Sequence, residues 1–413
     1  MPNFSRRAFG IAASLTAAAL TAVTLPSLAQ DSPVKLGALM PMTGDLQAFG
    51  ENCLNGVRLA IEQINAAGGI LGQEAEIVVG DTQTAAQPAI DAANRLVSLE
   101  GVSAIVGALA SGNTIPVATS VAAPNSIPLV SPASTAPAIS PLEDDDFLFR
   151  TVPSDAFQGI ALADVTRAEG LENLAIIYIN NDYGQGLNDS FTAAFEAQGG
   201  TITASSAYEP GQASYRGELQ QLANSGDPEA LVLIGYPENG TTILRQALEE
   251  GFFEEFIFTD GMRSPEVAEQ IGADILEGSL GVSPQALTDS NSYEFFASSY
   301  EESFGELPPT PYIDTSYDAA FVLALAIQKA GSSTDGAAIR DALRQVANAP
   351  GTEILPGEWE KAVELIAAGE DIQYTGASGG INFDDNGDVS GTFARWTFSG
   401  GTVVDLEVFE PEL

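Results

Sequence analysis

The sequence contains no histidine, a single cysteine, and only 15 lysines and arginines in 413 residues. Without histidine the commonest general base and the commonest metal ligand are missing. Neither a Ser-His-Asp nor a Cys-His nucleophile can then be assembled. One cysteine permits neither an intrachain disulfide nor a thiolate metal cluster. Cys53 sits in an apolar helical stretch, where a small buried core residue is expected. Against the basic residues stand 56 acidic ones, a net charge of −41. A chain this acidic repels phosphate backbones and anionic membrane surfaces, which argues against nucleic-acid binding. The acidity suits saline surroundings and equally serves plain solubility. Beyond Leu25 no apolar run is long enough to cross a bilayer. No catalytic, metal-binding or cofactor-binding constellation is expected.

The N-terminus does not read as part of the fold. Arg6 and Arg7 precede an uncharged run from Ala8 to Leu25, and Pro26 and Ser27-Leu28-Ala29 follow. This is the layout of a cleaved signal peptide over residues 1–29. Ser5-Arg6-Arg7-Ala8-Phe9 also fits the twin-arginine export pattern. The expected location is the periplasm. No cysteine follows the apolar run, so a lipid anchor is not expected.

Four hundred residues are enough for two domains of about 100–200 residues each. From Val34 onward, short apolar runs alternate with helical patterns. Strands are expected at Val34–Met40, Ala75–Gly80, Ala104–Val106, Ile127–Val130, Leu174–Ile179, Thr201–Tyr208, Leu231–Ile234 and Phe256–Thr259. Most are continuously hydrophobic, as parallel strands buried on both faces are. Helices are expected at Asn52–Asn65, Ala86–Leu99, Gly186–Ala197, Tyr215–Asn224, Thr241–Glu250, Tyr293–Ser303 and Thr315–Ala330. The alternation argues an α/β fold of two doubly wound parallel-sheet lobes. Asp144–Pro153 and Leu280–Pro284 read as crossovers forming a multi-strand hinge. The first lobe is expected to take 30–152 plus 284–365, the second 153–283 plus 366–413. A closing hairpin is expected to pair Gly380–Phe383 with Val389–Phe398.

In open α/β sheets, ligands bind beyond the carboxyl ends of the strands. Several polar and aromatic residues fall there. Ser111-Gly112 follows one strand and opens a helix, so it is either a plain N-cap or a carboxylate site. Ser131-Pro132-Ala133-Ser134-Thr135 follows another strand and read alone is a turn. Tyr183, Tyr236 and Asp260 each follow a strand of the second lobe; an isolated acid there is commonly a cap or turn. Phe49 and Tyr312 are core or pocket aromatics. Asn382, Asp384, Asn386 and Gly387 mimic the start of a calcium loop, but position twelve is Phe393 where a bidentate Glu is required, so a turn is expected. Gly107 to Gly112 lacks a nucleotide-binding pattern and its acidic partner.

The order and spacing of longer motifs carry more. "VKLGALMPMTGDLQAFG", "NGVRLAIEQINAAGGILG", "AIVGALASGNT", "IPLVSPASTAP", "FRTVPSD", "AIIYINNDYGQG", "LVLIGYPENGTTILRQALEEG", "TDGM", "TPYIDTSYDA" and "GGINFDDNGDV" follow one another over more than three-quarters of the chain. Together they resemble the Leu/Ile/Val-type substrate-binding proteins of bacterial ABC transporters, with the type I periplasmic-binding fold. The resemblance implies a ligand cleft between the lobes. Ser111 and Gly112 would hold the ligand carboxylate. Ala133 would offer its carbonyl to the ammonium and Thr135 a hydroxyl to the ligand, with Ser134 between them. Tyr183, Tyr236 and Asp260 would complete the cage on closure, and Asp260 would pair with the ammonium where the family often has Glu. Phe49 and, more weakly, Tyr312 match side-chain-pocket aromatics. No disulfide can brace the ligand loop here, since Ala110 precedes Ser111 and Cys53 is the lone cysteine. The implied role is a monomeric, non-enzymatic protein that captures an amino acid, branched-chain by preference, for an ABC transporter permease. The alternative ligand is urea, a short-chain amide or an aromatic acid. An amide hydrolase lacks any catalytic constellation, and a DNA-binding regulator lacks a basic headpiece.

Overall fold

The structure is a computed structural model and describes residues 32–411. The signal peptide expected over 1–29 lies outside the described residues. The first sheet holds β1 (Val34–Met40), β2 (Ala75–Asp81), β3 (Ala104–Gly107), β4 (Leu129–Ser131) and β5 (Leu148–Arg150), in the order β2-β1-β3-β4-β5. All its pairs are parallel. The second holds β6 (Asn173–Ile179), β7 (Thr201–Tyr208), β8 (Ala230–Ile234), β9 (Phe256–Phe258) and β10 (Leu280–Pro284). These five are parallel, in the order β7-β6-β8-β9-β10. Both sheets therefore run second-first-third, and each has a switch point where the strand order reverses. The apolar runs that predicted strands are buried because helices cover both faces.

A small third sheet joins β11 (Thr352–Ile354), β12 (Ile372–Gly376) and β13 (Gly379–Gly380). Two last strands, β14 (Phe393–Ser399) and β15 (Thr402–Phe409), add antiparallel to the second sheet beside β10. The closing hairpin is thus Phe393–Ser399 with Thr402–Phe409, one strand later than expected. Its turn is Gly400-Gly401, both at positive φ, the chemistry of a two-residue hairpin loop. Gly379–Gly380 instead pairs back onto β12. The helix Trp359–Ala368 and β12 pack on the helix Ile313–Ala330, which itself lies along Gln47–Ala66 over the first sheet. Only from about Phe393 does the tail return to the second sheet, because Trp359, Tyr374, Ile381 and Phe383 are buried on the first. The chain therefore passes between the sheets three times: at Arg150–Asp155, after Pro284, and before Phe393.

The helix Gln47–Ala66 begins five residues earlier than its expected start. Its buried stripe of Phe49, Cys53, Val57, Ala60 and Ile64 follows the helical period. Gly56 lets the helix Ile313–Ala330 approach: a Cβ there would stand 2.3 Å from the Ile313 carbonyl oxygen. The helices of ten or more residues absent from the expectation are, among the described residues, Asp155–Ala168, Gly336–Ala347 and Trp359–Ala368. The first is started by Ser154, whose hydroxyl accepts from the Ala156 N–H. The calcium-like segment is a turn, in which an Asp384 carboxylate oxygen accepts from the N–H groups of Asn386 and Asp388.

Candidate functional site

Both switch points open onto the same place. β1 and β3 end at the loops leading to Phe49 and Ser111; β6 and β8 end at Tyr183 and Tyr236. At the end of β3, Gly107 takes φ +129°, and a Cβ would stand 2.3 Å from the Leu39 carbonyl oxygen, so glycine is required for the chain to turn there. Between the ends lies a small cavity walled by the expected residues Phe49, Ser111, Ala133, Tyr183, Tyr236, Asp260 and Tyr312. Leu46, Leu109 and Gly261 also line it and were not expected. Its accessible space is about 10 Å³, room for about one water molecule, so the walls are drawn tightly together.

Among the described residues, Asp260 is the only charged group on that wall. It is 4% exposed. One oxygen accepts from Gln158 Nε2 at 2.7 Å and from the Tyr183 hydroxyl at 2.8 Å; the other accepts from the Tyr312 hydroxyl at 2.6 Å. Tyr183 can donate to Asp260 because Thr259 Oγ1, 2.8 Å away, donates to it in turn. Burial pushes the Asp260 carboxyl up, while these three donors pull it down. The Tyr183 and Tyr312 hydroxyls are raised well above the usual range by burial and then by the Asp260 charge, so both remain donors. Tyr183 and Tyr236 stack with ring centroids 5.6 Å apart, and Phe49 meets Tyr312 edge-on at 6.5 Å. The cavity thus has a polar, anionic floor and apolar or aromatic sides.

Three expected residues stand behind the wall instead of on it. Gly112 faces the second lobe: a Cβ there would lie 3.5 Å from the Asn181 side chain. The Ser134 hydroxyl is spent on Thr114 and on the carbonyls of Ala108 and Leu109. Ser134 therefore fixes one site loop to the other and is not free to meet a ligand. Thr135 donates its hydroxyl proton to Asp155 at 2.9 Å, which leaves only its oxygen lone pairs to offer. The Ser111 hydroxyl accepts from the Ala136 N–H at 3.2 Å and keeps its proton to donate.

Asp155 and Gln158 were missed by the sequence reading. Both are fully buried on one face of the helix Asp155–Ala168. Among the described residues, Asp155 Oδ1 and Gln158 Oε1 have no hydrogen-bond partner. Burial and then the Asp260 charge push the Asp155 carboxyl well up, against the Thr135 hydroxyl and the Arg150 charge. Arg150 does not compensate fully. It is committed to Asp388 at 2.7 and 2.9 Å and to the carbonyls of Ser134 and Ala136. A signal was available in "PSDAFQ": two polar residues three apart, on the inward face of an otherwise apolar helix.

Buried polar and aromatic groups lining or backing a cleft between two doubly wound sheets define a small-molecule binding protein. Comparison with known proteins is specific. The profile of the periplasmic binding protein family matches residues 33–385. The Leu/Ile/Val-binding protein BraC3 of Rhizobium johnstonii is 28% identical over 334 residues, covering 80% of this chain and 89% of that protein. The leucine binding protein LivK of Thermotoga maritima superposes with a TM-score of 0.78 at 30% identity, covering 92% of this chain and 99% of that one. LivJ of Streptococcus pneumoniae, a branched-chain amino acid transporter substrate-binding protein solved with isoleucine, gives a TM-score of 0.76 at 26% identity over 92% and 100% of the two chains. The chain belongs to the periplasmic binding protein family, whose members bind solutes and are not enzymes.

Proposed function

We propose that this protein captures an amino acid, branched-chain by preference, outside the cytoplasm and delivers it to an ABC transporter permease. The observation that carries the reading is Asp260, a buried carboxylate held by Gln158, Tyr183 and Tyr312 with no lysine or arginine on the cavity wall. An ammonium taken from water needs such a countercharge. Ser111, with a free hydroxyl proton, serves the carboxylate end. Leu46, Phe49 and Leu109 offer an apolar seat for a side chain. An aromatic acid or an uncharged amide leaves Asp260 unpaired, so neither is favoured. Opening of the lobes admits the ligand, and binding to both walls stabilises the closed form that the permease reads. The first lobe is taken to run to the crossing at Arg150–Asp155 and to include the segment between Pro284 and Phe393; the protein works as a monomer. Calorimetric titration with leucine, isoleucine, valine, urea, butyramide and benzoate tests the reading. Binding of benzoate or urea but no amino acid would overturn it.

The pair of buried acids sets a pH dependence. Both carboxyls are raised in the free protein, so acidification protonates them before it would in water. A ligand ammonium favours their charged form. Affinity is therefore full above the raised range and is lost as pH falls through it, by up to about tenfold per pH unit for one proton. The free protein shows the opposite sign: its stability gains as pH falls toward the ordinary carboxylate range, because an acid raised by burial favours unfolding once ionised. Titrations at about pH 7.5 and about pH 5 read the first effect, and equal affinity at both would remove the buried pair from the ligand site.

Residues 1–29 act as a cleaved signal peptide of the twin-arginine type, on the evidence of Arg6-Arg7 and the apolar run behind them. A precursor with both arginines changed to lysine is expected to accumulate uncleaved in the cytoplasm. Normal export of that variant would assign the protein to the general secretory route.

A further inference from the structure

A second cavity, about 220 Å³, lies at the hinge. An engineered apolar cavity of about 150 Å³ admits benzene, so this one has room for a small organic molecule. All three crossings between the sheets reach it: Thr151 and Pro153 from the first, Pro284 and Gln285 from the second, Ser390 and Thr392 from the third. Its charged residues are Arg263, Asp314 and Asp405, so the lining is net negative. Arg263 is already committed, to Asp405 at 2.9 Å, to Ser283 Oγ at 2.9 Å and to the Pro309 carbonyl. Asp314 is not. One of its oxygens accepts from the Thr315 N–H at 2.9 Å, and among the described residues no lysine or arginine forms an ion pair with it. Beside it Thr315 lines the same cavity and is 5% exposed, yet its hydroxyl has no partner among the described residues. Tyr293 and Phe296 close the space with aromatic rings. An unpaired carboxylate, an unpartnered hydroxyl one residue on, and aromatic faces together suit a cation carrying several N–H donors.

We propose that the hinge cavity is a second ligand site, which takes a primary ammonium on a short carbon body through Asp314 and Thr315. Its place at the three crossings means that both lobes contribute to holding the occupant. The probe is n-butylammonium chloride, read by thermal shift against equal sodium chloride so that screening of the acidic surface cancels, with n-butanol and sodium butyrate as neutral and anionic counterparts. Butylammonium could also enter the main cleft, so the decisive protein is the full chain carrying Asp260→Ala. There, at about a hundredfold excess over Kd, the ammonium is expected to raise the melting temperature by roughly 2–4 °C, and the alcohol and the acid to leave it unchanged. Asp314→Asn and Ala286→Trp, the one removing the charge and the other filling the space, each abolish the shift when added. No shift in the Asp260→Ala protein, or a shift that survives Asp314→Asn, would overturn the second site without touching the first.

Discussion

Replacing Asp260 by alanine is expected to weaken amino-acid binding by about 2–5 kcal/mol, roughly 30- to 3000-fold. The size follows from what remains. Tyr183 and Tyr312 are neutral, Ser111 faces the other end, and no second charge lines the cavity. Removing the carboxylate leaves a buried ammonium with only neutral acceptors. Asp260→Asn is the sharper variant, because it keeps the volume and one acceptor for Tyr312 while losing the charge. It should fall in the same range, whereas Ser111→Ala should cost less, about 1.5–3 kcal/mol for one hydroxyl bond to a charged group. Calorimetry on the three variants with the best ligand reads this order. Binding by either Asp260 variant within about threefold of the parent would show that no ammonium sits there.

The parts of this molecule legible in its sequence are those whose signal is local. β8 is an uninterrupted apolar run, β6 is one after Asn173, and β1 is broken only by Lys35 and Gly37; at this length, with β-branched residues, such runs read as buried parallel strands. Residues just past such strands are site candidates by topology alone, which is why Ser111, Tyr183, Tyr236 and Asp260 fall on one cavity. What stayed hidden depends on partners distant in the chain. Thr135 was expected to face the ligand, but its proton goes to Asp155, twenty residues on. Ser134 and its neighbour Thr135 look alike in sequence, and only the approach of Ala108 and Leu109 decides that Ser134 is a brace. The place of β12 was hidden for the same reason: it has no strand-strand partner in either main sheet and is placed by packing on the helix Ile313–Ala330. The hairpin at Gly400-Gly401 is a different matter, since its turn signal is local and strong.

Arg150 carries the largest expected stability effect. It ends β5 at the first crossing and is fully buried. Its guanidinium grips Asp388, which precedes the third crossing, with two parallel bonds, and donates to the carbonyls of Ser134 and Ala136 in the ligand loop. One side chain thus ties two crossings to the loop that carries Ala133 and Thr135, the work a disulfide cannot do in a chain with one cysteine. Arg150→Met takes the guanidinium from the Ser134 and Ala136 carbonyls and from the Asp388 carboxylate, which keep at most the Ile139 N–H and the Ser140 hydroxyl as donors, and breaking a buried pair in this way costs about 3–5 kcal/mol. Asp388 keeps 14% side-chain exposure and can recover some hydration, which places the expected loss near the lower end of that range. Arg150→Lys should recover less than half of the loss, because an ammonium cannot make the two parallel bonds to Asp388 and reach both carbonyls at once. Denaturant unfolding of the three proteins measures the loss. Removal of Asp388 as well, by Asp388→Asn in the Arg150→Met background, is expected to restore part of the stability, since the unpaired charge then disappears. A double variant no more stable than Arg150→Met alone would show that the carbonyls of the ligand loop, and not the ion pair, are what Arg150 holds in place.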